Sequence, residues 1–354
     1  MRIIQIVPRF ELGGAEIMCE NLTYALQRAG HCVTVVSLYD YRSAITGRLE
    51  AAGVDIRYLG KRRGPDIALL LRLRKLLRAL RPDAVHSHLY ASEYAVPAAM
   101  MAGISCRVHT LHNVADKENT RAGRLLNRLF FRRFHTVPVA LSRLVRETVE
   151  AEYGLPAARI PVITNGIDLT KCLPKQDYAT NIPFTVLHIG RFVPEKNHML
   201  LLRAFGRFHA RYAQSELHLV GDGETRTEVE AYVRENGLSS CVRFFGLQEN
   251  VYPFLQKADV FVLPSLYEGI PITLIEAMGS GLPIVASAVG GVPAMLDEGC
   301  AQLIPPEEEA LFTALCRYYE DEGLRRTNGT SAKARAACFS AEAMAAGYLE
   351  VYRA

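Results

Sequence analysis

The sequence predicts an α/β protein of two Rossmann-like domains, and three observations predict it. Apolar, β-branched runs alternate with stretches of helical spacing; the runs fall into two series; and a polar, proline-bearing stretch without a period, LTKCLPKQDYATNIP at 169–183, separates them. Alternation of this kind calls for right-handed βαβ units and parallel sheets buried on both faces. The first domain is expected at 1–174 and the second at 175–339, with a closing helix at about 340–354.

In the first series the strands are IIQIV, CVTVVSL, AVHSHL, CRVHTLH, VPVALS and IPVIT; in the second they are FTVLHIG, LHLVG, VRFFG, VFVLPS, PIVAS and AQLIP. The first helix is well delimited. It follows Gly13-Gly14, keeps Ile17, Leu22, Ala25 and Leu26 on one face, and stops at Gly30, whose lack of a Cβ suits a left-handed cap. Pro271 is expected at the first position of a helix through ITLIEAM, where its missing N–H costs nothing. SAEAMAAGYLEVYRA reads as the closing helix.

Composition sets the class. At 354 residues, 49% hydrophobic and 22% charged, the chain has an ordinary globular make-up with enough length for two cores. No apolar run reaches the roughly 18 residues that cross a bilayer, and MRIIQIVPRF is interrupted too early for a signal peptide, so a cytoplasmic location is expected. Eight scattered cysteines contain no CxxC pair; buried free thiols are expected, without a zinc site or disulfide framework. The net charge of +4 conceals a division: residues 1–171 carry 25 Lys and Arg against 15 Asp and Glu, the remainder 16 against 22. Such asymmetry points to a partner met by the first half alone.

The most informative segment is EGIPITLIEAMGSGLP, which separates Glu268 and Glu276 by seven residues across a helix start. The unpaired amides of a first helical turn attract an anion, and flanking carboxylates accept from hydroxyl groups, a combination suited to a diphosphate bearing sugars. Arg191 and Lys196 in GRFVPEKNH follow a strand and bring a planar fork and a point charge to the same kind of group. Gly13 and Gly14 lie in a βα loop, where ligands meet open parallel sheets, and allow close backbone approach. Gly221-Asp-Gly223 lacks the third glycine of GxGxxG, so a dinucleotide fingerprint is absent. No DxD metal motif is convincing, Asp116-Lys-Glu118 being the nearest, and neither a metal nor a cofactor is expected.

Taken together, GGAE at 13–16, HTLHN at 109–113, VITNGID at 162–168, GRFVPEKNH at 190–198, LVGDGE at 219–224 and Glu268-x7-Glu276 resemble, in order, the signature of family 4 glycosyltransferases with the GT-B architecture. The resemblance covers nearly the whole chain. It implies two Rossmann-like domains facing across a cleft, with the C-terminal helix crossing back to the first. It also implies retention of anomeric configuration, a nucleotide-sugar donor (UDP- or GDP-sugar) in the second domain and a glycan or lipid-linked acceptor in the first. By the same resemblance His112, Arg191, Lys196 and Glu268 are catalytic, and Gly13, Gly14, Gly269, Ile270 and Glu276 bind donor together with Arg191 and Lys196. The resemblance also places Glu16, Asn113 and Asn165 on the acceptor side or in the cleft. Where relatives often carry Glu after Gly290-Gly291, this chain has Ala294.

Each residue also has a plainer reading. The glycines serve tight turns, a lone Arg or Lys is a solvated cation, Glu276 is an exposed helical carboxylate, Asn165-Gly166 is a simple turn, and His86, His88 and His109 are core or rim residues. If 268–276 were helical throughout, the carboxyls would lie about 12 Å apart, beyond the 5–9.5 Å or so of glycosidase pairs. A nucleotide-sugar 2-epimerase, a phosphorylase and a catalytically silent glycan-binding subunit remain the alternatives. Nucleic acid is not an expected partner. Two basic stretches, Lys61 to Pro82 and Arg121 to His135, the second with Phe130, Phe131 and Phe134, read in two ways: as amphipathic helices on an anionic membrane surface, or as helices covering a sheet with Arg turned to solvent.

Overall fold

The computed structural model describes residues 1–11 and 13–354. Two compact units emerge, 1–167 with 340–354, and 168–339; the division falls at Ile167 and Asp168, a few residues before the break expected after 174.

Six parallel strands form the sheet of the first unit: β1 Arg2–Val7, β2 Cys32–Ser37, β3 Asp55–Tyr58, β4 Ala84–His88, β5 Cys106–Leu111 and β6 Val137–Ala140, in the order β3-β2-β1-β4-β5-β6. Two expectations are corrected here. IPVIT is not a strand; only Val162 bridges Ala140. DIRY is a strand that the apolar pattern missed, because its alternating Asp55 and Arg57 sit on an edge that is only half-buried. The helix Gly14–Arg28 buries Met18, Leu22, Ala25 and Leu26, and Gly30 takes φ 82° past its end. Leu69, Leu73 and Leu77 of the helix Ile67–Leu80 pack on Ile4, Ile6, Val36 and Val85.

The closing helix Ala341–Arg353 belongs to this first unit. Ser340 caps it through Ala343 N, Ile167 O accepts from Ala341 N at 2.8 Å, and its Tyr348 and Tyr352 hydroxyls reach Thr110 Oγ1 and His86 Nδ1 at 2.7 Å each. Gly166 permits this docking, since a Cβ there would lie 2.2 Å from Ser340 O. Asn165-Gly166 is thus more than a turn.

The second unit repeats the plan with β7 Phe184–Ile189, β8 Ser215–Val220, β9 Val242–Phe244, β10 Val260–Leu263, β11 Ile284–Ser287 and β12 Gln302–Ile304, ordered β12-β11-β10-β7-β8-β9. Its core joins Val186, Leu217, Val260 and Val285 of the sheet to Leu201, Phe205 and Phe208 of the helix His198–Arg211 and to Leu311, Leu315 and Tyr318 of the helix Glu308–Glu320. Both sheets reverse strand order beside their first strand, at β1/β4 and at β7/β10. Ligands of open α/β sheets enter at the carboxyl ends of such strands. No helix among the described residues is long and apolar enough to cross a membrane. Five cysteines are buried as expected; Cys32 and Cys338 are exposed and Cys106 is half-buried.

Candidate active site

In the second unit the two loops at the reversal are 190–197, after β7, and 264–271, after β10. They are bound to each other through their backbones: Leu266 N donates to Glu195 O at 2.8 Å, and Asn197 Nδ2 donates to Pro264 O at 3.3 Å. Across this junction Lys196 Nζ meets Glu268 Oε1 at 2.5 Å, and Ser265 Oγ donates to the same oxygen at 2.6 Å. Glu268 is buried and Lys196 largely so, which makes this a fixed pair rather than a mobile surface contact. Arg191, in the same loop as Lys196, is exposed; its backbone carbonyl accepts from Val193 N at 3.0 Å, and among the described residues its side chain has no hydrogen bond or ion pair.

Neighbouring glycines hold these loops at contact distance. Gly290, at φ 56°, lies so close that a Cβ would fall 1.8 Å from Glu268 O, the carbonyl to which Gly291 N donates at 3.0 Å. Gly221, at φ 136°, would place a Cβ 1.9 Å from Gly190 O, and Asp222 O accepts from Phe192 N at 2.9 Å. LVGDGE therefore supports the 190–197 loop by backbone contact, a role that the missing third glycine had left open.

The helix after Glu268 runs Ile272–Gly279, with Pro271 one place earlier than expected, at the N-cap. Gly269 and Ile270 lead into it. Glu276 then lies a little over one turn in, so the separation of about 12 Å inferred for a continuous helix does not apply. Nor is Glu276 an exposed carboxylate. It is buried, and burial pushes its pKa up to about 8, against the pull of Lys171 and Tyr252. A group with a raised folded pKa holds its proton up to about pH 8 in the native state, whereas the unfolded chain loses it near the ordinary carboxylate value; its contribution to stability therefore declines as pH rises through that window. If Glu276 takes the ribose hydroxyls of a nucleotide, as the family resemblance implies, their donation favours its ionised form. On that condition nucleotide affinity is expected to rise between pH 6 and 8, by up to about tenfold per unit, with release of one proton. Titration calorimetry in buffers of different ionisation enthalpy checks this; Glu276→Gln should bind more weakly at pH 8 and lose the pH dependence.

In the first unit His112 ends the run begun by β5. Its backbone N–H and that of Asn113 both donate to Glu118 Oε2, at 3.1 and 2.7 Å. Burial pushes Glu118 up to about 8 and His112 down to about 3. Glu118 was weighed only as part of a metal motif; its place as the anchor of the His112 loop had no signal beyond proximity in sequence. A cavity of about 560 Å³ beside it is lined by Lys61, Tyr90, Glu93, Tyr94, Glu118 and Asn119. Gly14 has open space where a Cβ would be, whereas a Cβ on Gly13 would come 2.6 Å from the buried Glu16 carboxylate. Asn165 is buried and Asn113 exposed. Among the described residues no group of three His, Cys, Asp or Glu side chains is arranged to hold a metal ion.

Two parallel-sheet units with identical strand order, each with its loops at the reversal, match the GT-B class. The comparisons extend this to a family. Residues 12–171 match the model described as Glycosyltransferase Family 4, and residues 183–321 the model described as Glycosyl transferases group 1. The Escherichia coli UDP-Gal:alpha-D-GlcNAc-diphosphoundecaprenol alpha-1,3-galactosyltransferase is 31% identical over 250 residues, 64% of this chain and 63% of its own. The Campylobacter jejuni N-acetylgalactosamine-N,N'-diacetylbacillosaminyl-diphospho-undecaprenol 4-alpha-N-acetylgalactosaminyltransferase is 26% identical over 77% of this chain and 76% of its own. In fold the chain is similar to Anabaena HepE, crystallised with UDP-glucose, at a TM-score of 0.85 and 21% identity, covering 100% of this chain and 99% of that one. The chain belongs to glycosyltransferase family 4 and is a glycosyltransferase.

Proposed function

We propose that the chain moves a sugar, with retention of anomeric configuration, from a nucleoside-diphosphate sugar to a hydroxyl of a lipid-linked glycan in bacterial cell-surface polysaccharide or glycolipid synthesis. The observation that carries the reading is the Lys196–Glu268 pair at the strand-order reversal of the second unit, with Arg191 exposed in the same loop as Lys196. The departing diphosphate gains negative charge in the transition state, and the fixed Lys196 together with Arg191, once it closes on the diphosphate, stabilises it more than the ground state. The acceptor oxygen bonds to the anomeric carbon as the bond to the phosphate oxygen breaks. The acceptor's proton passes to that phosphate oxygen, so no enzyme nucleophile is needed. Glu276 receives the ribose hydroxyls, and the cavity beside Glu118 suits the acceptor. The two relatives' names, both of which include undecaprenol diphosphate, support a polyprenyl-linked acceptor. Proton NMR of the first product formed tests retention: an α-linked donor should yield an α-linked product, and a β-linked product overturns that part.

A membrane surface as second partner is favoured by one observation. In the helix Arg121–Arg133 the buried side is Gly123, Asn127, Phe130 and Phe131, while Leu125, Leu126 and Leu129 are 69%, 40% and 46% exposed among Arg121, Arg128, Arg132 and Arg133. A helix that only covered its sheet would turn those leucines inward. By contrast, the helix Ile67–Leu80 buries its leucine stripe, although Ile67 and Leu71 stay outside it. Arg124 is engaged in the fold through Asp116 O and Glu152. The expected result is salt-sensitive flotation with anionic but not zwitterionic vesicles, lost on replacing Leu125, Leu126 and Leu129 with Ser; flotation unchanged in that variant contradicts it.

A further inference from the structure

The amide of Gln5, in the middle of β1, has an orientation fixed by its partners. Its Nε2 lies 2.6 Å from Thr23 Oγ1 and 3.3 Å from Cys19 O. The carbonyl only accepts, and Thr23 spends its own proton on Cys19 O at 2.8 Å, so both positions require a donor and the amide nitrogen must face them. Gln5 Oε1 is left facing His88 Nε2 at 3.1 Å, which must then carry hydrogen. His88 is wholly buried and its burial holds the ring neutral, so Nδ1 bears a lone pair. That lone pair lies 3.1 Å from His112 Nε2. The partner at this distance is therefore an N–H.

We propose that Gln5 and His88 are positioning residues that hold His112 as its Nε2–H tautomer, so that its remaining nitrogen, Nδ1, is a hydrogen-bond acceptor for a substrate hydroxyl. The chain of donors runs one way, from His112 Nε2–H to His88 Nδ1, from His88 Nε2–H to Gln5 Oε1, and from Gln5 Nε2–H to Thr23 and Cys19. Among the described residues His112 Nδ1 has no protein partner, and the Glu118 carboxylate pins the backbone of the same residue. An acceptor at Nδ1 selects a group that brings its own proton, as a sugar hydroxyl does, and rejects a second lone pair. His86, although its ring centre is 4.1 Å from that of His88, is not in this chain; its nitrogens are taken by Tyr352 and Thr110. The assignment of the ligand to a sugar hydroxyl rests on the function proposed above, whereas the tautomer does not.

The test is long-range proton–nitrogen correlation NMR on protein labelled at histidine nitrogens, near neutral pH, with His112 and His88 assigned from single variants. Both rings should show a protonated Nε2 and an unprotonated Nδ1; a protonated Nδ1 on His112, or a doubly protonated ring, overturns the inference even if nucleotide binding and transfer are normal. Gln5→Leu should release the pattern at both rings and lower kcat by about tenfold or more, the scale of one lost aligned hydrogen bond, while affinity for nucleoside diphosphate alone is unchanged. An unaltered tautomer with unaltered kcat in folded Gln5→Leu also overturns it. If the wild-type tautomer is as stated but no sugar nucleotide binds, the reading of function fails and the positioning of His112 stands.

Discussion

Lys196→Ala should lower kcat by about two to three orders of magnitude, because a preorganised donor at a developing negative charge contributes about 2.7 to 4 kcal/mol. It should also lower stability, since Glu268 would keep its buried carboxylate with only Ser265 to satisfy Oε1. Removing one partner of a buried pair commonly costs about 3 to 5 kcal/mol, and some exposure of Lys196 places the expectation at the low end. The two effects separate in the double variant Lys196→Ala, Glu268→Gln. Its melting temperature should recover toward wild type while transfer remains lost; recovery of both would mean that Lys196 serves the fold alone.

Gly290→Ala should abolish useful donor binding without unfolding the protein. At φ 56° any Cβ costs about 1 to 2 kcal/mol, and here it would also strike Glu268 O at 1.8 Å. Something must shift, and the contact is backbone to backbone, so the Glu268-Gly269 segment moves off the position from which it meets Lys196. Gly30→Ala is the matched control: its φ of 82° brings the same kind of strain, but nothing lies within 4 Å of the added carbon. Donor affinity should fall by about a hundredfold or more in Gly290→Ala, equivalent to two steps of about 1.4 kcal/mol, and stay unchanged in Gly30→Ala. Equal loss in both would show that strain alone, and not the position of Glu268, governs binding.

Much of this site was legible before any coordinates, because parallel strands buried on both faces leave continuous apolar runs and the loops after them carry the ligand chemistry. That logic, together with the family resemblance, singled out Arg191, Lys196, Glu268 and Glu276, and of these the structure pairs Lys196 with Glu268. It failed where burial was partial: DIRY alternates charge with apolar residues at a sheet edge and resembles a loop. It also failed where one residue's meaning depends on a distant neighbour. His88 is a core histidine, as its strand position suggested, yet its Nδ1 touches His112 from another strand, a contact set by register rather than by motif. The leucines of 121–135 show the same limit in reverse. Their spacing promised a face, but which side the sheet would cover was decided by Phe130, Phe131, Asn127 and the neighbouring helices.

The central claim is that the loops at the β7/β10 reversal bind a sugar nucleotide and release its diphosphate. The most direct measurement is release of nucleoside diphosphate from a panel of UDP-, GDP- and ADP-sugars, without acceptor, by wild type and by the Lys196→Ala, Glu268→Gln protein. The account predicts slow release from at least one donor by wild type and at least about a hundredfold less by the variant. No release from any donor, with no thermal stabilisation by UDP, GDP or ADP at concentrations that would add about 2.7 kcal/mol at a hundred times Kd, contradicts it.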